Sequence, residues 1–184
     1  LNAAADGALT NVELVSAAGA AAAVTINLGL QTEGFSITGS AFADTIAGGS
    51  DDDTIVGFVG ADNVDGGGGT DTITLTATSS ALNSATNGQI LNVEAVSAAT
   101  AAAGVTINLS SQAEGFTITG SANADTITGG LGADVIAAGA GNDTINGFSI
   151  GDSVDGEANT DTVALTATSA GLNAAADGEI TNVE

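Results

Sequence analysis

One register constrains this chain more than anything else in it. From Gly39 the residues fall into nine-residue pieces, GSAFADTIA, GGSDDDTIV, GFVGADNVD and GGGGTDTIT. From Gly120 they do so again, as GSANADTIT, GGLGADVIA, AGAGNDTIN, GFSIGDSVD and GEANTDTVA. Every piece has Asp at its sixth position: Asp44, Asp53, Asp62 and Asp71, then Asp125, Asp134, Asp143, Asp152 and Asp161. Every piece has Ile or Val at its eighth. A linker has no reason to place an aliphatic residue two positions after each Asp.

The pieces sit inside a longer repeat. LNAAADGALTNVE at 1–13 returns as LNSATNGQILNVE at 82–94 and as LNAAADGEITNVE at 172–184. The second unit is longer than the first by one insertion, 131–139, of nine residues. This gives unit 1 over 1–81 (β-helix-like 1–38, β-roll 39–74), unit 2 over 82–171 (β-helix-like 82–119, β-roll 120–164) and the start of a third at 172–184.

The glycine-rich front of each piece suits a turn, because Gly tolerates positive φ and close backbone approach. The DxUx back suits a short strand with its aliphatic side chain inward. Two pieces then close one coil of eighteen residues, with turns alternating between two edges, and Asp residues eighteen apart stack. Asp44 and Asp62 share one edge and Asp53 and Asp71 the other. In the second block Asp125, Asp143 and Asp161 share one edge, and Asp134 and Asp152 the other. The fold class is all-β, a right-handed parallel β-solenoid in which β-roll blocks alternate with wider β-helix-like rungs.

The pattern resembles the GGxGxDxUx nonapeptide of the RTX (repeat-in-toxin) calcium-binding proteins of bacterial extracellular or surface type. Gly129 to Ala137 matches it in full. Ala138 departs at the first position, Phe58 and Phe148 at the second, and Asn123 and Asn159 at the fourth. The resemblance implies a calcium β-roll holding one ion between successive turns of an edge, and export unfolded by type I secretion.

Electrostatics points the same way. The chain has 22 acidic residues and no Lys, Arg or His, for a formal charge of -22. Carboxylates on rungs about 4.8 Å apart repel by about 1 kcal/mol in water and by several times more near a protein surface. Ca²⁺ relieves this with six to eight oxygens, from carboxylates and from backbone carbonyls such as Gly-rich turns expose. Mg²⁺ holds its waters too tightly, and Zn²⁺ would find no His or Cys. The predicted metal set is the nine sixth-position aspartates with Gly39, Gly48, Gly57, Gly66, Gly120, Gly129, Gly147 and Gly156, holding several Ca²⁺ ions. Binding then drives folding, so the blocks are expected to be disordered without Ca²⁺ and ordered at extracellular concentrations. Asp51, Asp52, Asp65 and Asp155 are expected to be solvated or auxiliary ligands.

The same composition removes other functions. Without cations the chain cannot neutralise phosphates or anionic lipid. It has no His or Lys base, no thiol and no Arg clamp, so it reads as a non-enzyme. Gly66–Thr70 lacks the Lys of a phosphate loop, and nucleotide is not expected. Asp62–Gly66 lacks the ligand spacing of an EF-hand. The uncharged run Ala95–Ala113 is too polar to span a membrane, and no basic segment precedes an apolar one as in a signal peptide.

Between the blocks, TITLTAT (72–78), ILNVEAV (90–96), GVTINLS (104–110) and FTIT (116–119) alternate with period two and read as strands. They suggest wider rungs, with a three-sided helix as one form. The Ala-rich stretches 17–23 and 98–103 read alternatively as short helices, and 79–88 as a helical turn ending at Gly88. The chain starts at a repeat and stops thirteen residues into a third without cap-like ends. This is expected of a window on a longer array, or of a subunit stacking end to end. The function expected is a calcium-stabilised extracellular structural repeat protein in a filament, surface layer or adhesin stalk. The alternatives are a calcium-dependent folding module of a secreted enzyme, an ice-binding Thr array and a ligand-binding adhesin region. The Asn108 and Asn142 glycosylation patterns are short enough to arise by chance.

Overall fold

A computed structural model describes residues 4–165 and 168–184. The chain divides into two compact units, Leu1–Thr74 with Ser80–Ala95, and Leu75–Ser79 with Val96–Glu184. Each is an all-β solenoid of two- and three-residue parallel strands. It coils right-handed, as parallel strand–crossover–strand connections do.

In the first unit one face carries Leu14–Ser16, Ser36–Thr38, Thr54–Val56 and Thr72–Thr74. The other carries Thr25–Asn27, Thr45–Ala47, Asn63–Asp65 and Ile90–Leu91. The second unit repeats the plan. Thr117–Thr119, Val135–Ala137, Ser153–Asp155 and Ile180–Thr181 lie opposite Thr106–Asn108, Thr126–Thr128, Thr144–Asn146 and Thr162–Ala164. Within the blocks the register is eighteen residues: Thr45 pairs with Asn63, Ile55 with Ile73, Ile127 with Ile145 and Ile136 with Val154.

The eighth-position aliphatics stack inside. Ile46, Ile55, Val64 and Ile73 fill one interior, and Ile127, Ile136, Ile145 and Val154 the other, all buried. Each such side chain is worth about 1.5–3 kcal/mol in burial. Short strands suffice because each rung covers the apolar side chains of the one before. Thr25, Thr45, Thr106, Thr126 and Thr162 lie exposed on the outer faces, where a β-branched polar side chain suits an open strand.

The wide rungs differ from the sequence expectation. They keep two sides, and Leu14 pairs with Ser36 twenty-two residues on, so a longer arc rather than a third face absorbs the extra residues. The Ala-rich stretches form turns, not helices. Their first residues are tied to the neighbouring rung, Ala17 to the Thr38 carbonyl and Ala98 to that of Thr119, and a single short turn of helix is marginal alone. Strand structure in 72–78 ends at Thr74, leaving Leu75 buried and Ala77 exposed. The helical turn expected in 79–88 is a 3-10 turn at Leu82–Ser84, and its counterpart one repeat later is the short helix Ala170–Ala174. Among the described residues no helix is long and apolar enough to cross a membrane.

Candidate metal centre

Each sixth-position Asp lies where the turn meets the strand. All nine are buried, none more than 3 % exposed. The chain has no cation to meet them, so backbone N–H groups do much of that work. The N–H of the residue entering a strand donates to Oδ1 of the Asp on the next rung of its edge. Asp44 donates to Asp62 at 2.9 Å, Asp53 to Asp71 at 2.7 Å, Asp125 to Asp143 at 2.7 Å, Asp134 to Asp152 at 2.9 Å and Asp143 to Asp161 at 2.8 Å. Residues of the wide rungs begin each column. Val24 donates to Asp44, Phe35 to Asp53, Val105 to Asp125 and Phe116 to Asp134.

The second carboxylate oxygen separates the turns into three kinds. In the first turn on each edge, the N–H of the second residue donates to Oδ2. Ser40 serves Asp44, Gly49 Asp53, Ser121 Asp125 and Gly130 Asp134. Where Phe takes the second position, Gly57 and Gly147 have φ of 78° and 77°, and the donor moves one residue on. Val59 serves Asp62 at 2.9 Å and Ser149 serves Asp152 at 2.6 Å. Phe58 and Phe148 turn into the core, at 0 % and 6 % exposure.

In the remaining three turns, Oδ2 of Asp71, Asp143 and Asp161 is buried with no partner. These turns have positive φ at both second and fourth positions: Gly67 and Gly69, Gly139 and Gly141, Glu157 and Asn159. This geometry takes the second N–H off the carboxylate; that of Glu157 goes to Asp155 instead. The turns stack on the preceding rung through the third residue, Gly68 to the Gly49 carbonyl, Ala140 to that of Ser121 and Ala158 to that of Gly139.

Burial sets the acid–base behaviour. Desolvation pushes the carboxyls of Asp53, Asp62, Asp134 and Asp143 above their ordinary range, against the pull of the backbone N–H bonds. Asp71 is pushed up to about 6, by desolvation first, with the charges of Asp53, Glu94 and Asp52 adding to it. A buried carboxylate with an open oxygen and acidic neighbours is a place where a cation is stabilising.

The predicted glycines serve this arrangement unequally. The Cα atoms of Gly39, Gly48, Gly66, Gly120, Gly129 and Gly156 lie under the Oδ2 of their own Asp, so that a Cβ would strike it. Gly57 and Gly147 have their roles at positive φ instead. Among the described residues no three acidic side chains converge on a point. An ion at these turns therefore takes most of its shell from backbone carbonyls, which suits Ca²⁺.

The NVE motif was legible as a repeat but not as a part of this site. Asn92 and Asn182 adopt φ of 49° and 51°, and their side chains donate to Asp65 and Asp155 at 2.7 Å. That bond holds the Asp155 carboxyl below its ordinary range. Glu94 accepts the N–H of Asp71 at 2.8 Å and so ends the ladder. Asp52 accepts from Thr70 at 2.6 Å, while Asp51 accepts from Asp52. Glu33 adds a buried carboxylate oxygen, Oε2, without a donor, outside the nonapeptides.

No curated protein and no solved structure matches the chain. The family model of the RTX calcium-binding nonapeptide repeat (4 copies) matches residues 38–73 and 117–147. The two rolls are thus built on the RTX calcium-binding nonapeptide over those residues.

Proposed function

We propose that this calcium-binding repeat protein is a structural element of the bacterial exterior, a length of filament, surface layer or adhesin stalk. The observation that carries the reading is the sameness of its parts. Coil, ladder and NVE terminator recur, with Glu94 and Glu184 each donating their N–H to the carbonyl of the last Asp of a ladder, Asp71 and Asp161. Acidic side chains that a catalyst would gather in one cleft are spread along the edges, and the sequence has no other general base. On this reading the chain is not an enzyme, and it associates with copies of itself or continues as a longer array. RTX repeats are typical of secreted bacterial proteins, which supports an extracellular place, type I export and millimolar calcium as the folding signal.

The test is circular dichroism and electron microscopy of the purified protein with calcium and with excess chelator. Ordered β-structure and elongated assemblies are expected with calcium, and both should collapse in chelator. A spectrum indifferent to chelator, or a monomer at every calcium and protein concentration, overturns the proposal.

A further inference from the structure

The nine aspartates are alike in sequence and unlike in what their carboxylates have left to give. An ion between successive turns of an edge has five places to sit, formed by the turns starting at 39 and 57, 48 and 66, 120 and 138, 129 and 147, and 138 and 156. In two of these the later turn carries Phe58 or Phe148. The side chain fills the core, and an N–H from Val59 or Ser149 occupies Oδ2 of Asp62 or Asp152. In the other three the later turn is open, and Oδ2 of Asp71, Asp143 or Asp161 is buried without a donor.

We propose that the chain binds calcium at three of these places only, each marked by the open carboxylate of Asp71, Asp143 or Asp161, and that the 129/147 and 39/57 pairs are closed by hydrogen bonds and bind none. The proposal rests on the calcium reading above and adds to it a count and an address. It departs from the motif in two ways. The piece that matches the nonapeptide in full, Gly129 to Ala137, is assigned no ion with its successor, since both oxygens of Asp152 in that later turn are taken, by the N–H of Asp134 at 2.9 Å and of Ser149 at 2.6 Å. The piece 156–164, which has Glu157 in place of the second glycine and lies outside the segments matched by the family model, is assigned one.

A carboxylate oxygen fixed by an N–H dipole is already compensated, and a cation there would face the positive end of that dipole. A buried oxygen with no donor has lost its water and gained nothing in exchange, a cost that a cation removes. The Phe side chains reinforce the division. Their burial fixes the turn that supplies the N–H, so opening those turns would expose an aromatic ring.

Native mass spectrometry of the whole chain across a calcium titration reads the count. Saturation at three ions is expected. Asp161→Asn and Asp71→Asn should each saturate at two, and Asp134→Asn and Asp152→Asn at three, with a lowered urea midpoint for the last two. If Asp134→Asn does not fold, Asp62→Asn takes its place, as its turn is closed in the same way. Saturation at five ions, loss of an ion in a closed-turn variant, or retention of three in Asp161→Asn overturns the inference while leaving calcium binding intact. A chain that takes up no calcium overturns the binding reading itself.

Discussion

Turns 129–134 and 138–143 are neighbours in sequence, and they teach opposite lessons about one motif. The first has every consensus glycine and bonds its Asp134 carboxylate through both oxygens. The second has lost its first glycine to Ala138, yet it leaves Asp143 Oδ2 buried and open. The consensus describes a chain path, and the peptide orientation at the second residue decides whether the carboxylate faces an N–H. That orientation follows rank in the stack. Each turn capped by its second N–H is the first on its edge, against a wide rung, whereas the open turns rest on an earlier nonapeptide turn, as do the Phe58 and Phe148 turns, where the donor is one residue further on.

The largest expected effect is one that should not tell the two turns apart. Ile136 and Ile145 each follow their Asp by two residues, and both are buried. Truncating either to Ala should lower stability by about 2–5 kcal/mol, the usual cost of a buried cavity of that size. Equal shifts in urea midpoint would confine the difference to the turns. A strongly unequal pair would mean that the strands also differ, and the comparison would break.

The second glycines should separate them. Gly139 has φ of 102°, and a Cβ there would strike the Ser121 carbonyl. Gly130 is outside the positive-φ region, and its nearest atoms to a Cβ are the Gln112 and Glu114 carbonyl oxygens at 3.1 Å. Gly139→Ala should therefore cost about 3 kcal/mol and Gly130→Ala about 1 kcal/mol. Similar losses in denaturant titrations would show that the two turns do not differ in backbone as described.

How much of this the residues announced is clear from particular cases. The eighteen-residue coil, the inward Ile column and the pairing of Asp44 with Asp62 or Asp125 with Asp143 follow from the spacing of Asp and aliphatic alone, because a period fixes which side chains stack. The division of the carboxylates does not follow from it. Gly130 and Gly139 are the same residue at the same position, and the motif does not distinguish the positive φ of Gly139 from the conformation of Gly130. Phe58 and Phe148 were visible as departures from the motif, but not as the residues that relocate a donor. Glu94 was visible as part of a repeated NVE, and it took the register of Asp71 to show it as the end of a ladder. The wide rungs were underdetermined because an eleven-residue half-coil can bulge or add a face, and short alternating strands suit both.

The smallest effect expected is also the one with an unusual sign. Raised carboxyls bind protons more tightly in the folded chain than in the unfolded one. The chelated protein, collapsed at neutral pH, should therefore recover order as pH falls through the folded value, about 6 for Asp71, and be most stable below the unfolded carboxyl range, near pH 4. This is the reverse of proteins whose carboxylates are ion-paired. The net charge of -22 acts in the same direction, since self-repulsion grows as the acids ionise. Glu94→Gln separates the two contributions. It can still accept the Asp71 N–H but removes one of the charges that raise Asp71, so the loss of stability should start at lower pH. Circular dichroism of the chelated protein as it is acidified from pH 7.5 to 4 measures both. Stability that instead rose with pH would mean that the open oxygens carry their charge unaided, and the physical difference between open and capped turns would go with it.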